Sequence, residues 1–174
     1  MKKLLLLLYH FRRLALIAVS LILLSSCSQK PAEPVLDFSG VVKASCTDLS
    51  FTADIVSNSH DILRVKLKSP EALSGYTYLF KNGIVLMKKD NLRMKAEYGY
   101  IPKSSSLCEI YEVLSSVKRG EIELFNSDNS FSEFKGSCDA GEFVLTAETN
   151  TGAIRKIDVK GSKLEARFCS VKFT

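Results

Sequence analysis

The sequence predicts a mainly β protein of the α+β class with a single α-helix. From residue 35 onward apolar and polar residues mostly alternate, which is the pattern of strands with one face in the core. Turn residues separate the alternating stretches, and one stretch has helical spacing instead. We therefore expect a curved antiparallel sheet or an unclosed β-barrel of about nine to ten strands, because open sheets of that size curl.

Six strands are expected before the helix. They are predicted at 38–44, 49–55, 63–67, 76–80, 84–87 and 92–96. In the third strand Leu63, Val65 and Leu67 alternate with basic residues, as in a strand that is wet on one face. Asn82-Gly83 predicts a two-residue hairpin turn, because both residues tolerate a positive φ.

Residues 104–119 depart from this alternation and predict the helix. Their apolar residues fall on one stripe at helical spacing: Leu107, Ile110, Tyr111, Leu114 and Val117. Ser104 or Ser105 can cap the start, and Lys118-Arg119 followed by Gly120 is typical of the end. Because the polar side of the helix is narrow, we expect it to pack on the concave face of the sheet.

A strand at 121–125 and a four-strand meander are expected after the helix. The meander comprises 131–137, 143–147, 154–159 and 164–168, and each of the turns inside it contains a glycine. These strands complete one domain that we place at 36–174.

The N-terminal 26 residues have the parts of a secretory signal peptide. A basic start is followed by the apolar run 14–24, which is too short to span a bilayer as a helix, since that needs about 20 residues. The run ends in Leu24-Ser25-Ser26-Cys27, which resembles the lipobox of bacterial lipoproteins. This resemblance implies cleavage before Cys27 and a diacylglycerol thioether on its thiol; an ordinary signal peptide or an uncleaved membrane anchor is the alternative.

Cleavage would leave a short tether at 27–35, with Pro31 and Pro34, ahead of the domain. It would also lower the net charge from +5 to +1, because residues 1–26 hold four basic residues and no acidic ones. Net charge therefore gives no support to a nucleic-acid partner. We expect a lipid-anchored protein of the cell membrane or the outer membrane that faces away from the cytoplasm. Ser28, in place of an aspartate after the cysteine, permits sorting to the outer membrane if the cell has two membranes.

Four further cysteines lie in the domain: Cys46, Cys108, Cys138 and Cys169. They contain no C-x-x-C pair, and one histidine remains after residue 26, so we expect no metal site. In an exported protein an even number of cysteines favours two disulfides. Three pairings are open, and free thiols are the alternative.

No set of residues predicts catalysis. His60 lies between Ser59 and Asp61, but adjacent turn residues splay apart, whereas a catalytic triad converges from separate positions. Carboxylate pairs such as Glu109/Glu112 and Glu121/Glu123 are typical of a solvated surface. We expect a protein that is not an enzyme and that has no catalytic residues and no cofactor.

The order of features resembles a known superfamily. Lys68-Ser69-Pro70-Glu71-Ala72-Leu73-Ser74-Gly75 precedes an aromatic strand, the Asn82-Gly83 hairpin and a helix near residue 107. Over Phe38 to Phe173 this is similar to the lipoprotein carriers of the LolA/LolB type, particularly small lipoproteins of that type in Gram-positive bacteria. The resemblance implies an unclosed barrel that is lined with apolar residues and holds acyl chains.

The function expected from these observations is that of an envelope lipoprotein that binds a lipid or another hydrophobic molecule in a half-barrel cavity. Its candidate lining residues are Phe51, Ile55, Val65, Leu67, Tyr76, Tyr78, Phe80, Leu107, Tyr111 and Leu114. The alternative is a non-catalytic interaction or structural module of the envelope, with a solidly packed sheet that docks another envelope protein.

Overall fold

Eleven strands form one antiparallel sheet in the computed structural model, which describes residues 30–47, 49–60, 62–100 and 105–174. The strands are β1 (Phe38–Cys46), β2 (Leu49–Asn58), β3 (Ile62–Ser69), β4 (Thr77–Lys81), β5 (Ile84–Lys89), β6 (Leu92–Glu97), β7 (Ile122–Ser127), β8 (Phe131–Cys138), β9 (Gly141–Glu148), β10 (Ile154–Val159) and β11 (Leu164–Phe173). The predicted signal peptide and Cys27 lie outside the described residues.

The sheet is open. Its order is β6-β5-β4-β3-β2-β1-β11-β10-β9-β8-β7, so β6 and β7 form the two edges and do not pair with each other within the described residues. The predicted curved antiparallel sheet of an unclosed barrel is confirmed, with one strand more than the upper expected number. Among the described residues, no helix is long and apolar enough to cross a bilayer.

Alternating burial explains why these sequences form strands. In β3, Leu63, Val65 and Leu67 are buried, while the basic residues between them are exposed. The Asn82-Gly83 hairpin forms between β4 and β5 with φ values of 50° and 71°, as a two-residue turn with two positive φ values requires. Pro31–Thr174 is one compact unit with its own hydrophobic core, which is the property of a segment that folds alone.

The predicted helix is confirmed as α1 (Ser106–Arg119), which begins two residues later than expected. The side chain of Ser105 caps it by accepting a hydrogen bond from the backbone N–H of Cys108, and Gly120 ends it at a φ of 71°. Its buried residues include Cys108, Ile110, Val113 and Leu114. The helix backbone lies closest to β8 and β10, so it covers one half of the inner face of the sheet more closely than the other.

The sheet has two ends, which we call the mouth end and the tether end. The mouth end carries the β1–β2, β5–β6, β8–β9 and β10–β11 turns and the start of α1; the tether end carries the β2–β3, β4–β5 and β9–β10 turns. Part of the predicted tether is packed at the second of these. The backbone N–H of Ala32 donates to the carbonyl of Thr149 at 2.8 Å, and that of Val35 donates to Gly152 at 2.9 Å.

A candidate ligand cavity under the start of α1

A cavity of about 340 Å³ lies between the start of α1 and the inner face of β2 to β5. Most of its wall is apolar: it is lined by Cys46, Leu49, Phe51, Leu67, Leu73, Tyr78, Phe80, Val85, Ser105, Ser106, Leu107 and Cys108. The volume is at the lower end of the range for small-molecule sites, about 300–1,000 Å³. The cavity lies where the helix is farther from the sheet, because the backbone of α1 is closest to β8 and β10.

The cavity has a buried floor and a more exposed rim. Phe80 and Val85 are 1% and 4% exposed, and they form the floor. Leu49 is 43% exposed at the start of β2, and Leu73 and Leu107 are partly buried beside it. The rim residues all lie at turns or at the helix start, so the cavity opens at the mouth end of the sheet.

Of the ten residues predicted to line a ligand cavity, the structure places five in the wall of this cavity. Phe51, Leu67, Tyr78, Phe80 and Leu107 are in its wall. The other five are elsewhere: Ile55, Val65 and Leu114 are buried in the core, Tyr76 lies under the ammonium of Lys89 at 4.4 Å, and Tyr111 stacks on Phe80.

The inner side of the floor is closed by three aromatic rings. The rings of Phe80 and Tyr111 stack with their centroids 5.0 Å apart, and Tyr98 meets Tyr111 edge to face at 5.4 Å. Such offset and edge-to-face pairs stabilise a core beyond their buried area, by about 0.5–1.5 kcal/mol each. They attach the middle of α1 to β4.

Glu112 connects this aromatic cluster with the other half of the sheet. Its Oε1 accepts a 2.6 Å hydrogen bond from the phenol of Tyr98, and its Oε2 accepts one of 3.2 Å from the backbone N–H of Asp139 in the β8–β9 turn. Burial, followed by this bond to a carboxylate, raises the pKa of Tyr98 above its ordinary value. The phenol therefore stays protonated and remains a donor at neutral pH.

A second carboxylate of the helix is fully buried, so the expectation that Glu109 lies on a solvated surface is wrong. Glu109 is 0% exposed, and its Oε2 accepts a 2.6 Å hydrogen bond from the hydroxyl of Ser162. Its Oε1 has no hydrogen-bond partner among the described residues. Burial raises the pKa of Glu109, because a low-dielectric site disfavours the charged form.

All four cysteines of the domain are free thiols in the structure. Cys46 and Cys108 are in the cavity wall, and the thiol of Cys46 donates to the carbonyl of Ser162 at 3.1 Å. Burial raises the pKa of Cys108 and of Cys138, so these thiols stay protonated at neutral pH. Within the described part of the chain, no cluster of His, Cys, Asp and Glu has the arrangement of a metal site.

His60 lies in the exposed β2–β3 turn. Its backbone N–H donates to Oδ1 of Asn58 at 2.7 Å, and the backbone N–H of neighbouring Ser59 donates to Asp37. Both bonds satisfy backbone N–H groups of the turn, one through Asn58 within the turn and one through Asp37 before β1. Asp61 lies outside the described residues.

A larger groove, of about 480 Å³, lies on the other half of the sheet. Its wall includes the glycines Gly120 and Gly136 and charged residues such as Glu123 and Lys135. Charged groups facing water are better solvated than groups facing an apolar ligand, so this groove suits solvent. The smaller cavity under α1 is the candidate site.

Several lining residues were missed by the sequence analysis. They are Cys46, Leu49, Leu73, Val85, Ser105, Ser106 and Cys108. Most of them lie at turns or at the helix cap, where a strand or helix period does not predict the direction of a side chain. Val85 follows the alternation of β5 and is directly opposite Phe80 in the hairpin. This pairing with a predicted lining residue was the signal that could have identified Val85 as a lining residue.

No family model matches this chain, and no curated protein matches it. Among solved structures it is similar to a conserved protein of Thermus thermophilus that is described as uncharacterized, with a TM-score of 0.54 and 10% identity over 79% of this chain and 78% of that one. At this identity the likeness shows the fold alone.

Two further similar structures have lower TM-scores. One is the LolA superfamily protein NE2245 of Nitrosomonas europaea, with a TM-score of 0.39 and 8% identity over 83% of this chain and 88% of that one. The other is a Vibrio parahaemolyticus domain named for outer membrane lipoprotein sorting, with a TM-score of 0.38 and 6% identity over 79% and 85%.

Proposed function

We propose that this chain is a non-catalytic envelope lipoprotein whose half-barrel binds one lipid chain or a comparable hydrophobic molecule in the cavity under α1. The observation that carries the proposal is the cavity itself, a space of about 340 Å³ with a mostly apolar wall. Residues that line an empty apolar space lack the van der Waals contacts they would make in a packed core. An apolar ligand in the cavity would supply these contacts.

The alternative of a solidly packed sheet has less support. A packed module would fill the inner face of β2 to β5, whereas there the floor residues Phe80 and Val85 border open space. The volume also limits the ligand, because it is at the lower end of known small-molecule sites. We infer that the site takes a single acyl chain or a molecule of similar size.

The proposed anchor at Cys27 precedes the end of the sheet that is opposite the mouth. Residues 32–35 are hydrogen-bonded at the tether end of the sheet, and the cavity opens at the mouth end. A protein attached to a membrane through Cys27 would therefore hold its cavity away from the point of attachment.

Uptake of a fluorescent fatty acid by the domain from Ser28 onward tests the proposal. We expect saturable binding with one site per chain, and we expect Val85→Phe to weaken it at least about tenfold, because the ring occupies space at the floor. Leu107→Glu, which puts a charge at the rim, should also weaken binding. It is the test variant if Val85→Phe does not fold.

The matched control is Val56→Phe. Val56 is 38% exposed on the outer face of β2, so the same substitution adds the same volume away from the cavity. Binding should remain at the wild-type level in this variant. Absence of saturable binding to the wild-type domain, or equal binding by the Val85→Phe variant, would refute the proposal.

A further inference from the structure

The outer face of β3 to β6 is strongly basic. Its charged side chains are Arg64, Lys66, Lys68, Lys81, Lys88, Arg93 and Lys95, with Glu97 as the acidic exception on these four strands. Residues in register across antiparallel strands point to the same side, and these residues alternate or pair with ones on the inner face. We call this surface the basic face.

The basic residues lie in rows across the strands. One row is Lys66, Thr77, Lys88 and Arg93, and the next is Arg64, Leu79, Leu86 and Lys95. Rows two residues apart are separated by about 7 Å. This distance is within the Debye length of about 8 Å at physiological ionic strength, so the charges act on a partner together.

Folding alone gives no reason for this arrangement. Lys88 and Arg93 are directly opposite each other across β5 and β6, and like charges in that position destabilise a sheet. Within the described residues, Lys68 is the one member of the basic face that forms an ion pair, with Asp54 of β2. The uncompensated charge indicates a partner of opposite charge.

The other half of the sheet is different, because several of its cations are paired with carboxylates within the described residues. Lys156 forms ion pairs with Asp158 at 3.0 Å and with Glu165 at 3.1 Å. Lys160 pairs with Glu142 at 3.0 Å. The basic face is therefore a local feature, and the near-neutral charge expected for the mature chain conceals it.

The apolar residues of the basic face identify the kind of partner. Leu79, Leu86 and Ile84 are partly buried between the cations, and no aromatic side chain belongs to the outer rows of these four described strands. Single-stranded nucleic acids are bound by aromatic stacking platforms, which this face lacks. Aliphatic groups among cations are typical of surfaces that bind anionic lipid headgroups.

We propose that the basic face docks on the surface of a membrane that contains anionic lipids. Docking in this way lays the strands along the membrane, with the tether end and the mouth end both beside it. The proposal goes beyond ligand binding, because the basic face is on the opposite side of the sheet from the cavity. It holds whether or not Cys27 carries a lipid.

Vesicle co-sedimentation of the domain from Ser28 onward tests this docking. The probes are phosphatidylcholine vesicles with and without about one third phosphatidylglycerol. We expect binding to the anionic vesicles that weakens as salt is added. The combined substitutions Lys66→Gln, Lys88→Gln and Arg93→Gln should lower the affinity about a hundredfold.

The matched control neutralises Lys160, Lys163 and Lys172, which are exposed outside the basic face. It removes the same charge and should bind anionic vesicles almost as well as wild type. Equal losses in the two triple variants, or equal binding to neutral vesicles, would overturn the proposal. So would binding to an oligonucleotide or an acidic protein without binding to vesicles. Fatty-acid uptake should be the same in wild type and both variants, which separates this test from that of the cavity.

Discussion

The phenol of Tyr98 donates a 2.6 Å hydrogen bond to the carboxylate of Glu112. Tyr98 follows the edge strand β6, and the other oxygen of Glu112 accepts the backbone N–H of Asp139 in the β8–β9 turn. One helix carboxylate therefore joins the two halves of an open sheet whose edge strands do not pair within the described residues.

Tyr98→Phe tests this connection. The variant keeps the ring in the aromatic cluster but removes the donor, so Glu112 loses a charge-assisted hydrogen bond. We expect the free energy of unfolding to fall by about 1.5–3 kcal/mol in urea denaturation at neutral pH. Tyr100→Phe is the control, because Tyr100 is 83% exposed and should leave stability unchanged. Equal stability of the two variants would contradict the account of Tyr98.

Glu109 predicts a specific pH dependence of stability. Burial raises its pKa in the folded state, so in that state the carboxyl group holds its proton at pH values where the unfolded chain has lost it. Its contribution to stability is greatest below the ordinary glutamate pKa of about 4.3 and falls as pH rises through the raised value. Urea unfolding of Glu109→Gln should show a smaller fall between about pH 4 and pH 7 than wild type.

The control for this prediction is Glu97→Gln, because Glu97 is exposed at the end of β6. Its pH profile should match that of wild type. A profile of Glu109→Gln that also matches wild type would show that Glu109 does not titrate abnormally.

Gly152 holds the segment before β1 against the domain. A Cβ at this position would lie 2.1 Å from the carbonyl oxygen of Glu33, and φ is +71°. Gly152→Ala should therefore destabilise the fold by more than the cost of a left-handed alanine, which is about 1–2 kcal/mol. Hydrogen exchange should accelerate at the amides of Ala32 and Val35, whose hydrogen bonds to Thr149 and Gly152 break.

Gly75→Ala supplies the control for the backbone cost. Gly75 has a φ of +86°, and a Cβ there would meet nothing within 4 Å. This variant should lose about 1–2 kcal/mol without faster exchange at residues 32–35. Unchanged exchange in the Gly152→Ala variant would mean that the segment is not held by this contact.

Cys27→Ala tests the predicted lipid anchor. Without the thiol no thioether forms, so the unprocessed precursor should accumulate and labelling with radioactive palmitate should disappear. Cys169→Ala, which removes a thiol from β11, should be processed and labelled as in wild type. Normal maturation of the Cys27→Ala variant would exclude the lipobox interpretation.

Elements with a clear hydrophobic period, and turns with characteristic residues, could be predicted from the sequence. The strand with Leu63, Val65 and Leu67, the Asn82-Gly83 hairpin and the capped helix are all present. Each depends on interactions between residues close in the sequence, so a local pattern specifies it. The edge strand β7 gave a weaker pattern, because an edge strand with an exposed surface need not alternate.

The cavity could be predicted in part. Its lining depends on where α1 lies over the sheet, and that position is set by contacts between distant residues, such as the stacking of Phe80 on Tyr111. Leu67 and Val65 both lie on the inner face of β3, but Leu67 lines the cavity and Val65 is buried in the core. The alternation of apolar and polar residues along the strand does not distinguish these two positions. The close approach of Glu33 to Gly152 likewise joins segments more than a hundred residues apart.

The most direct test of the central claim is native mass spectrometry of the protein purified from membranes in a mild detergent. The account predicts that each chain carries one apolar molecule in addition to its own covalent lipid, and that the Val85→Phe variant purified in the same way lacks it. A wild-type chain whose mass is that of the lipidated protein alone, identical in occupancy to the variant, would contradict the account.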